Sequence, residues 1–298
     1  MAWNILPFGS VPESSTATPA NADLEMSNRS TKGSISRVDE LKMTLKSLLA
    51  RNGGSTNEPD VLAVIDELAS LNPCKEGCAQ GTEFLGEFVA LTCPTFPGRL
   101  KSEPGQEHIV QYKLGRLSFN IFQPHKLVCT MRSVRNHVTV NGKTEDGKTK
   151  FSYPLVLDIT IHTPDGDLPA IVINEAHCYE NPDVNNRLMV SFTGGTLLPA
   201  EEVRNDPKKL DLWSKTFEGA YQKANEERSY FGWIFQFFLK LLLGLTYPTD
   251  DCLTKNSFHF EIKRAPIGHL DVLYLDEDLR ITKGNRGTIV VVERVTKA

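Results

Sequence analysis

The sequence predicts a mainly β protein: an antiparallel β-barrel that follows an N-terminal pair of helices and contains an inserted apolar helix. Three observations predict this class. About ten short segments between residues 84 and 294 alternate apolar and polar residues. Turn residues separate most of these segments at hairpin distance, and helical periodicity is confined to 35–73 and 206–247. Many short consecutive strands favour a meander, which removes its exposed edges by closing into a barrel.

The composition is that of an ordinary soluble protein and argues against nucleic acid as a partner. A chain of 298 residues that is 40% hydrophobic has enough apolar material for a large core. The net charge of -4 and the pI near 6.0 provide no basic field for phosphate backbones. The six cysteines are too dispersed for a disulfide scaffold.

The N-terminal residues 1–34 predict a disordered or targeting segment. They are rich in Ser, Thr, Pro, Ala and Asn and lack apolar periodicity. Glu13, Asp23 and Glu25 are untypical of a transit peptide, which is usually poor in acidic residues. We expect a single domain over residues 35–296, with the helical pair at 35–73 and the barrel at 84–294.

Two amphipathic helices are predicted at the start of this domain. Ser36 to Asp39 resembles a capping box, and Leu41 and Leu45 follow at helical spacing until Gly53-Gly54 ends the helix. The second helix begins near Pro59 and ends before Asn72-Pro73. We expect the two helices to pack as a hairpin.

The strands of the barrel are predicted from period-two alternation. The clearest is Phe151 to Ile161, in which every odd position is apolar, so that one face is buried and the other is largely wet. The predicted strands are Ile109–Lys113, Leu117–Phe122, Lys126–Met131, Asn136–Val140, Phe151–Ile161, Ala170–Asn174, Arg187–Phe192, Phe258–Lys263, Asp271–Leu275 and Thr288–Val292.

The inserted segment 206–247 opens with Asp206-Pro207, an N-cap followed by proline at the first helical position. Residues 230–245 are then almost entirely apolar, yet shorter than the roughly twenty residues that cross a bilayer. This helix either lies in a membrane interface or covers the barrel as part of its core. The predicted membrane-contact residues are Phe231, Trp233, Ile234, Phe235, Phe237, Phe238, Leu241 and Leu242.

The C-terminal stretch 270–292 predicts a strand pair around the turn Gly284-Asn285-Arg286-Gly287. Asp276, Asp278 and Arg280 alternate in front of this turn and would share one face of an extended chain. We expect Arg280 to pair with Asp276 or Asp278. The trio is then either a self-neutralised surface cluster or a polar group at the barrel mouth.

Motifs of common catalytic or cofactor sites are missing from the sequence. It has no glycine-rich phosphate loop, no paired metal-binding histidines and no Gly-x-Ser-x-Gly nucleophile motif. We therefore predict no cofactor, no metal and no catalytic residue.

Three patches resemble the plastid lipid-associated protein family, also called plastoglobulins or fibrillins. They are Leu45–Gly54 with Ile65–Pro73, Gly86–Thr92, and Tyr274–Ile281 followed by Gly284 and Gly287. The last patch is the most specific. Phe88 departs from the family pattern, because it occupies a position where the family has tryptophan.

This resemblance implies a lipocalin-like barrel that is not an enzyme. It further implies an apolar ligand such as a quinone, a carotenoid or an acyl lipid, and a location at plastoglobules or thylakoid membranes. We predict the ligand-binding residues among the inward-facing and hairpin side chains, namely Phe88, Phe119, Leu155, Leu157, Ile159, Phe260, Tyr274, Asp276, Asp278 and Arg280. Two alternatives remain open: a structural coat protein anchored by residues 230–245, and an accessory protein of isoprenoid or quinone metabolism.

Overall fold

The computed structural model describes residues 36–78, 81–102, 105–106, 109–226, 242–248 and 256–295, and every structural statement below refers to these ranges. The helices are α1 (Arg37–Arg51), α2 (Pro59–Ser70), α3 (Glu201–Arg204), α4 (Pro207–Phe217) and α5 (Ala220–Glu226). The strands are β1 (Gly86–Ala90), β2 (Gln111–Lys113), β3 (Val128–Lys143), β4 (Thr149–Ser152), β5 (Leu155–Thr163), β6 (Gly166–Glu180), β7 (Arg187–Pro199), β8 (Phe258–Glu261), β9 (Ile267–Leu275), β10 (Leu279–Gly284) and β11 (Ile289–Arg294). The predicted class, mainly antiparallel β with N-terminal helices, is confirmed.

The two N-terminal helices form the predicted hairpin. The hydroxyl oxygen of Ser36 accepts the N–H of Asp39 at 3.1 Å and so caps α1. The apolar faces of both helices pack on the outer side of the C-terminal strands. We call this the helix-pair core, and its buried members are Leu41, Leu45, Leu49, Val61, Ile65, Leu68, Tyr274, Leu279, Ile281 and Val291.

The strand pairings form a closed circuit. All pairs are antiparallel, and β1 pairs with β3 on one side and with β11 on the other. From β3 the pairings continue through β5, β6, β7, β9 and β10 and return to β11. We call these eight strands the sheet ring. Three further strands extend the ring. β2 pairs with β3, β4 pairs with both β3 and β6, and β8 pairs with β7.

Two apolar cores line the inner face of this sheet. The ring core consists of the buried residues Cys78, Phe84, Val138, Phe151, Tyr153, Ala176, Cys178, Leu188, Val190, Val272 and Leu275. The second core, which we call the α4 core, contains Leu157, Ile159 and the inward residues of β2, β6 and β8, together with Trp213 and Phe217 of α4. Along the strands, the residues of the inner face therefore belong first to the ring core and then to the α4 core.

Several strand boundaries differ from the sequence prediction. The segments Lys126–Met131 and Asn136–Val140 lie in one strand, β3. The predicted strand Phe151–Ile161 is divided at Pro154, whose missing N–H cannot donate to a strand ladder. The predicted strand Leu117–Phe122 is wrong, because a 3-10 turn ends there and Phe119 and Asn120 have positive φ angles of 54° and 61°.

The inserted segment begins as predicted. The Asp206 carboxylate accepts the N–H of Lys208 at 2.9 Å and caps α4. Trp213 and Phe217 of α4 pack over the ring of Phe258, with ring centroids 6.5 and 5.1 Å away. This part of the insertion covers the inner face of the sheet.

The apolar stretch 230–245 lies mostly outside the described residues. Of the predicted membrane-contact residues the structure describes Leu242 alone, and 63% of its surface is exposed. Among the described residues, no helix is long and apolar enough to span a membrane.

Gly54 fixes the loop between α1 and α2 against the chain that follows β1. Its φ angle is +78°, its carbonyl accepts the N–H of Cys93 at 2.8 Å, and a Cβ there would overlap the backbone of Cys93. The adjacent Gly53 has a φ angle of +59° but open space around its Cα. Both glycines therefore have a left-handed backbone, and only Gly54 is in close contact with Cys93.

We expect Gly54→Ala to destabilise the protein by at least about 2 kcal/mol more than Gly53→Ala, which carries the left-handed strain of about 1 kcal/mol alone. Urea unfolding of both variants measures this difference. Equal midpoints would show that the loop does not dock on Cys93.

Candidate functional site

The candidate site is built around Arg280, which β10 directs towards the inside of the sheet ring. Its chain neighbours Leu279 and Ile281 both point outward into the helix-pair core. Because alternate residues of a strand face opposite sides, Arg280 faces the ring core. Its side chain is 1% exposed, so the guanidinium is fully removed from solvent.

Aromatic rings surround this guanidinium. Its central carbon lies 4.3 Å from the ring centroid of Phe88 and 5.3 Å from the centroids of Phe84 and Tyr153. The negative faces of aromatic rings attract a cation at such distances, and more so when it is desolvated. These rings compensate part of the cost of burying the charge.

The hydrogen-bonding capacity of Arg280 is only partly used. Its Nη2 donates to the side-chain oxygen of Asn136, whose own amide nitrogen donates to the carbonyl of Pro154 at 2.8 Å. Among the described residues, Nε and Nη1 of Arg280 have no hydrogen-bond partner. A buried donor without a partner costs about 1–3 kcal/mol, and more when it belongs to a charged group.

The charge of Arg280 is also uncompensated among the described residues. Burial lowers the pKa of its guanidinium, yet an arginine remains protonated at neutral pH. Burial raises the pKa of Tyr153 and raises the pKa of Cys178 to about 12, so both neighbours are neutral. No described carboxylate lies within ion-pair distance of this arginine.

A second arginine closes the other side of Phe88. Arg294 of β11 is directly opposite Phe88 in the strand register, and its guanidinium carbon lies 4.6 Å from the ring centroid. It donates to the backbone carbonyls of Glu83, Leu85 and Glu277. Arg294 therefore ties the 3-10 turn before β1 and the β9–β10 turn to the end of the ring.

The predicted pairing of Arg280 with Asp276 or Asp278 is wrong. Both carboxylates lie in the turn between β9 and β10 and bind Lys42 of α1, with the Lys42 Nζ 3.2 Å from Asp278. Asp276 also accepts the hydroxyl of Tyr274 at 2.6 Å. The acidic residues thus hold the helix pair to the sheet, on the opposite side from the Arg280 guanidinium.

Lys42 and Asp276 form a largely buried ion pair, with side chains 10% and 14% exposed. Burial alone would raise the pKa of Asp276, but hydrogen bonds from Lys42, from Tyr274 and from two backbone N–H groups hold that pKa below its usual value. Burial alone would lower the pKa of Lys42, and the two aspartates raise it above its usual value. The folded state therefore favours both charges.

The other predicted ligand-binding residues fall into separate regions. Phe88 contacts Arg280, and Leu155 packs at the edge of the ring core. Leu157, Ile159 and Phe260 lie in the neighbouring α4 core. The structure thus places these five apolar side chains along the inner face of the sheet.

Two predicted residues lie away from this face. Tyr274 is buried in the helix-pair core, on the outer side of β9. Phe119 is 50% exposed in a turn, because the predicted strand around it does not form.

The sequence analysis missed several residues of the site, Arg294 among them. Phe84, Tyr153 and Asn136 reach Arg280 from three separate elements, and pattern alone carries no signal for their meeting. Lys42 had a signal, because it occupies the apolar stripe of α1 beside Leu41 and Leu45. A lysine on a buried helix face indicates an acidic partner.

An open groove of about 900 Å³ lies on the outside, between the α1–α2 loop and the β10–β11 turn. Residues 50–57 line it, together with Arg99 and Lys283. Because it is open to solvent, it differs from the enclosed sites that small lipophilic ligands occupy. Within the described ranges, no group of three His, Cys, Asp or Glu side chains is placed to hold a metal ion.

Comparison with known proteins gives one match. Residues 253–293, which include β8 to β10 and most of β11, match the family model PAP_fibrillin. No curated protein and no solved structure matches the chain significantly.

We expect Lys42→Met to destabilise the protein by about 1–3 kcal/mol at neutral pH, because it leaves the Asp276 carboxylate buried without its cation. In the wild type, the lowered pKa of Asp276 means that its contribution is present above the ordinary value of 3.8 and is lost as the pH falls through the folded value. The raised pKa of Lys42 means that its contribution is present below 10.5 and is lost at higher pH.

Chemical denaturation between pH 3 and pH 11 checks this prediction, with Lys215→Met as control. Lys215 and Asp211 form an exposed pair on α4, with side chains 68% and 59% exposed, and we expect no measurable effect there. A constant difference between wild type and Lys42→Met across the whole pH range would contradict the ion-pair account.

Proposed function

The match over residues 253–293 supports the assignment of this chain to the plastid PAP/fibrillin family, and on that basis we propose that it is a non-catalytic, plastid lipid-associated protein. We propose that it holds an apolar small molecule, such as a quinone, a carotenoid or an acyl lipid, inside the sheet ring. Its partners are then this ligand and the surface of a lipid body or thylakoid membrane.

The observation that carries the binding role is the closed circuit of strand pairings around an apolar inner face. Strands that close on themselves enclose an interior, and about eight strands give one wide enough for a single small ligand. In this proposal the ring works as a lipocalin-like barrel. The ligand then lies against the inner face of β5, which carries Leu155, Leu157 and Ile159.

A lipid-loading experiment tests this proposal. The full-length chain is incubated with a plastid lipid extract, re-isolated by gel filtration, and its bound lipid is identified by mass spectrometry. We expect roughly stoichiometric recovery of one class of apolar molecule. Recovery no higher than that of an unrelated soluble protein would contradict the binding role.

Matched variants locate the bound molecule. Ala176→Leu adds volume within the ring core, where Ala176 is 2% exposed, whereas Val140→Leu changes β3 at a position that is 57% exposed. We expect bound lipid to fall several-fold in Ala176→Leu and to stay unchanged in Val140→Leu. Equal loading of the two variants would place the lipid outside the ring.

A further inference from the structure

We propose that Arg280 binds the anionic head of an amphiphilic ligand, a carboxylate carried on an apolar chain. This inference rests on the proposed function, since it takes the inside of the sheet ring as the binding site. It adds the chemical class of the ligand and the residue that selects it.

Arg280 is a fully buried cation with unused hydrogen-bonding capacity. Arg280 is 1% exposed, one of its nitrogens donates to Asn136, and Nε and Nη1 have no partner among the described residues. Buried polar groups in folded proteins are almost always satisfied. Two nitrogens of a buried charged group without a described partner therefore indicate an acceptor that comes from outside the chain.

The balance of charge around Arg280 favours an anion over a neutral acceptor. The neighbouring Tyr153 and Cys178 are neutral, and Arg294 on the far side of Phe88 is a second cation. A water molecule or a ketone would satisfy hydrogen bonds and leave the buried charge uncompensated. A carboxylate satisfies both the donors and the charge, through hydrogen bonds about twice as strong as neutral ones.

The surroundings of the Arg280 guanidinium favour a ligand whose remaining part is apolar. Phe84, Phe88 and Tyr153 surround the guanidinium with apolar surface, so a small, fully hydrated anion would lose its water without gaining apolar contacts. From the ring core, the inward residues of β5 continue from Leu155 through Leu157 to Ile159 over about 13 Å. In this proposal the chain attached to the carboxylate extends along this apolar row.

The fold alone does not require an arginine at position 280. The residues that attach the helix pair to β9 and β10 are Lys42 and Asp276, and Arg294 ties the turns at the ring end. Replacing a buried charge by an apolar side chain of similar volume is often neutral or stabilising. A methionine at position 280 should therefore leave the fold intact and remove the anion receptor.

The test compares palmitate with methyl palmitate, which share the chain and differ in the charged head. Both are titrated by calorimetry into the lipid-free full-length wild type, Arg280→Met and the surface control Arg132→Met. We expect the wild type and Arg132→Met to bind palmitate at least tenfold more tightly than the ester. Arg280→Met should bind the two equally, with ester affinity unchanged.

A second variant keeps the test decisive if Arg280→Met does not fold. Asn136→Asp places a carboxylate beside the Arg280 Nη2 and supplies the missing counter-ion from within the chain. We expect this variant to lose the preference for palmitate at least tenfold. Its melting temperature falls, because the hydrogen bond from residue 136 to the Pro154 carbonyl is lost. Unchanged preference in Asn136→Asp would overturn the proposal.

The outcomes separate this inference from the proposed function. Equal wild-type binding of palmitate and its methyl ester overturns the role of Arg280 and leaves the ring as an apolar binding site. A preference for palmitate that persists in Arg280→Met also overturns the role of Arg280, since another group of the protein then binds the carboxylate. Binding of neither probe by the wild type overturns the inference, and the lipid-loading experiment then decides whether the ring holds another apolar molecule.

Discussion

The sheet ring depends on Phe88, a buried side chain held between two guanidinium groups where the ring closes. Arg280 lies 4.3 Å and Arg294 lies 4.6 Å from its ring centroid. Phe88 belongs to β1, the short strand that pairs with both β3 and β11 and so joins the two ends of the sheet. Since cation–π contacts strengthen when water is excluded, the contact with Arg294 stabilises β1, the shortest strand of the ring, while the contact with Arg280 offsets part of the cost of burying that charge.

The two arginines are equivalent in their contact with Phe88 and different in what their donors do. Arg294 donates hydrogen bonds to three backbone carbonyls at the end of the ring, those of Glu83, Leu85 and Glu277. Arg280 has two nitrogens without a described partner. A satisfied guanidinium contributes to stability, whereas an unsatisfied buried one carries a cost that structure alone does not repay. On this difference we base the structural role of Arg294 and the proposed binding role of Arg280.

Sequence patterns were informative where one element decides the outcome. The caps at Ser36 and Asp206 are local, and both helices begin there. The predicted pairing of Arg280 with Asp276 or Asp278 is wrong for a physical reason. The Asp276 carboxylate accepts the N–H groups of Asp278 and Leu279, and these hydrogen bonds turn the chain. The alternation of side chains between the two faces of a strand is therefore broken before Arg280. The aromatic surroundings of Arg280 come from Phe84, Phe88 and Tyr153 on different elements, and only the closed ring brings them together.

A crystal structure of the full-length protein prepared with palmitate is the direct test of anion binding by Arg280. We expect a carboxylate oxygen within about 3 Å of Nε or Nη1 of Arg280, with the acyl chain running along β5 inside the ring. Well-defined density that shows both nitrogens bonded to a protein group or to water, with no ligand inside the ring, would contradict it.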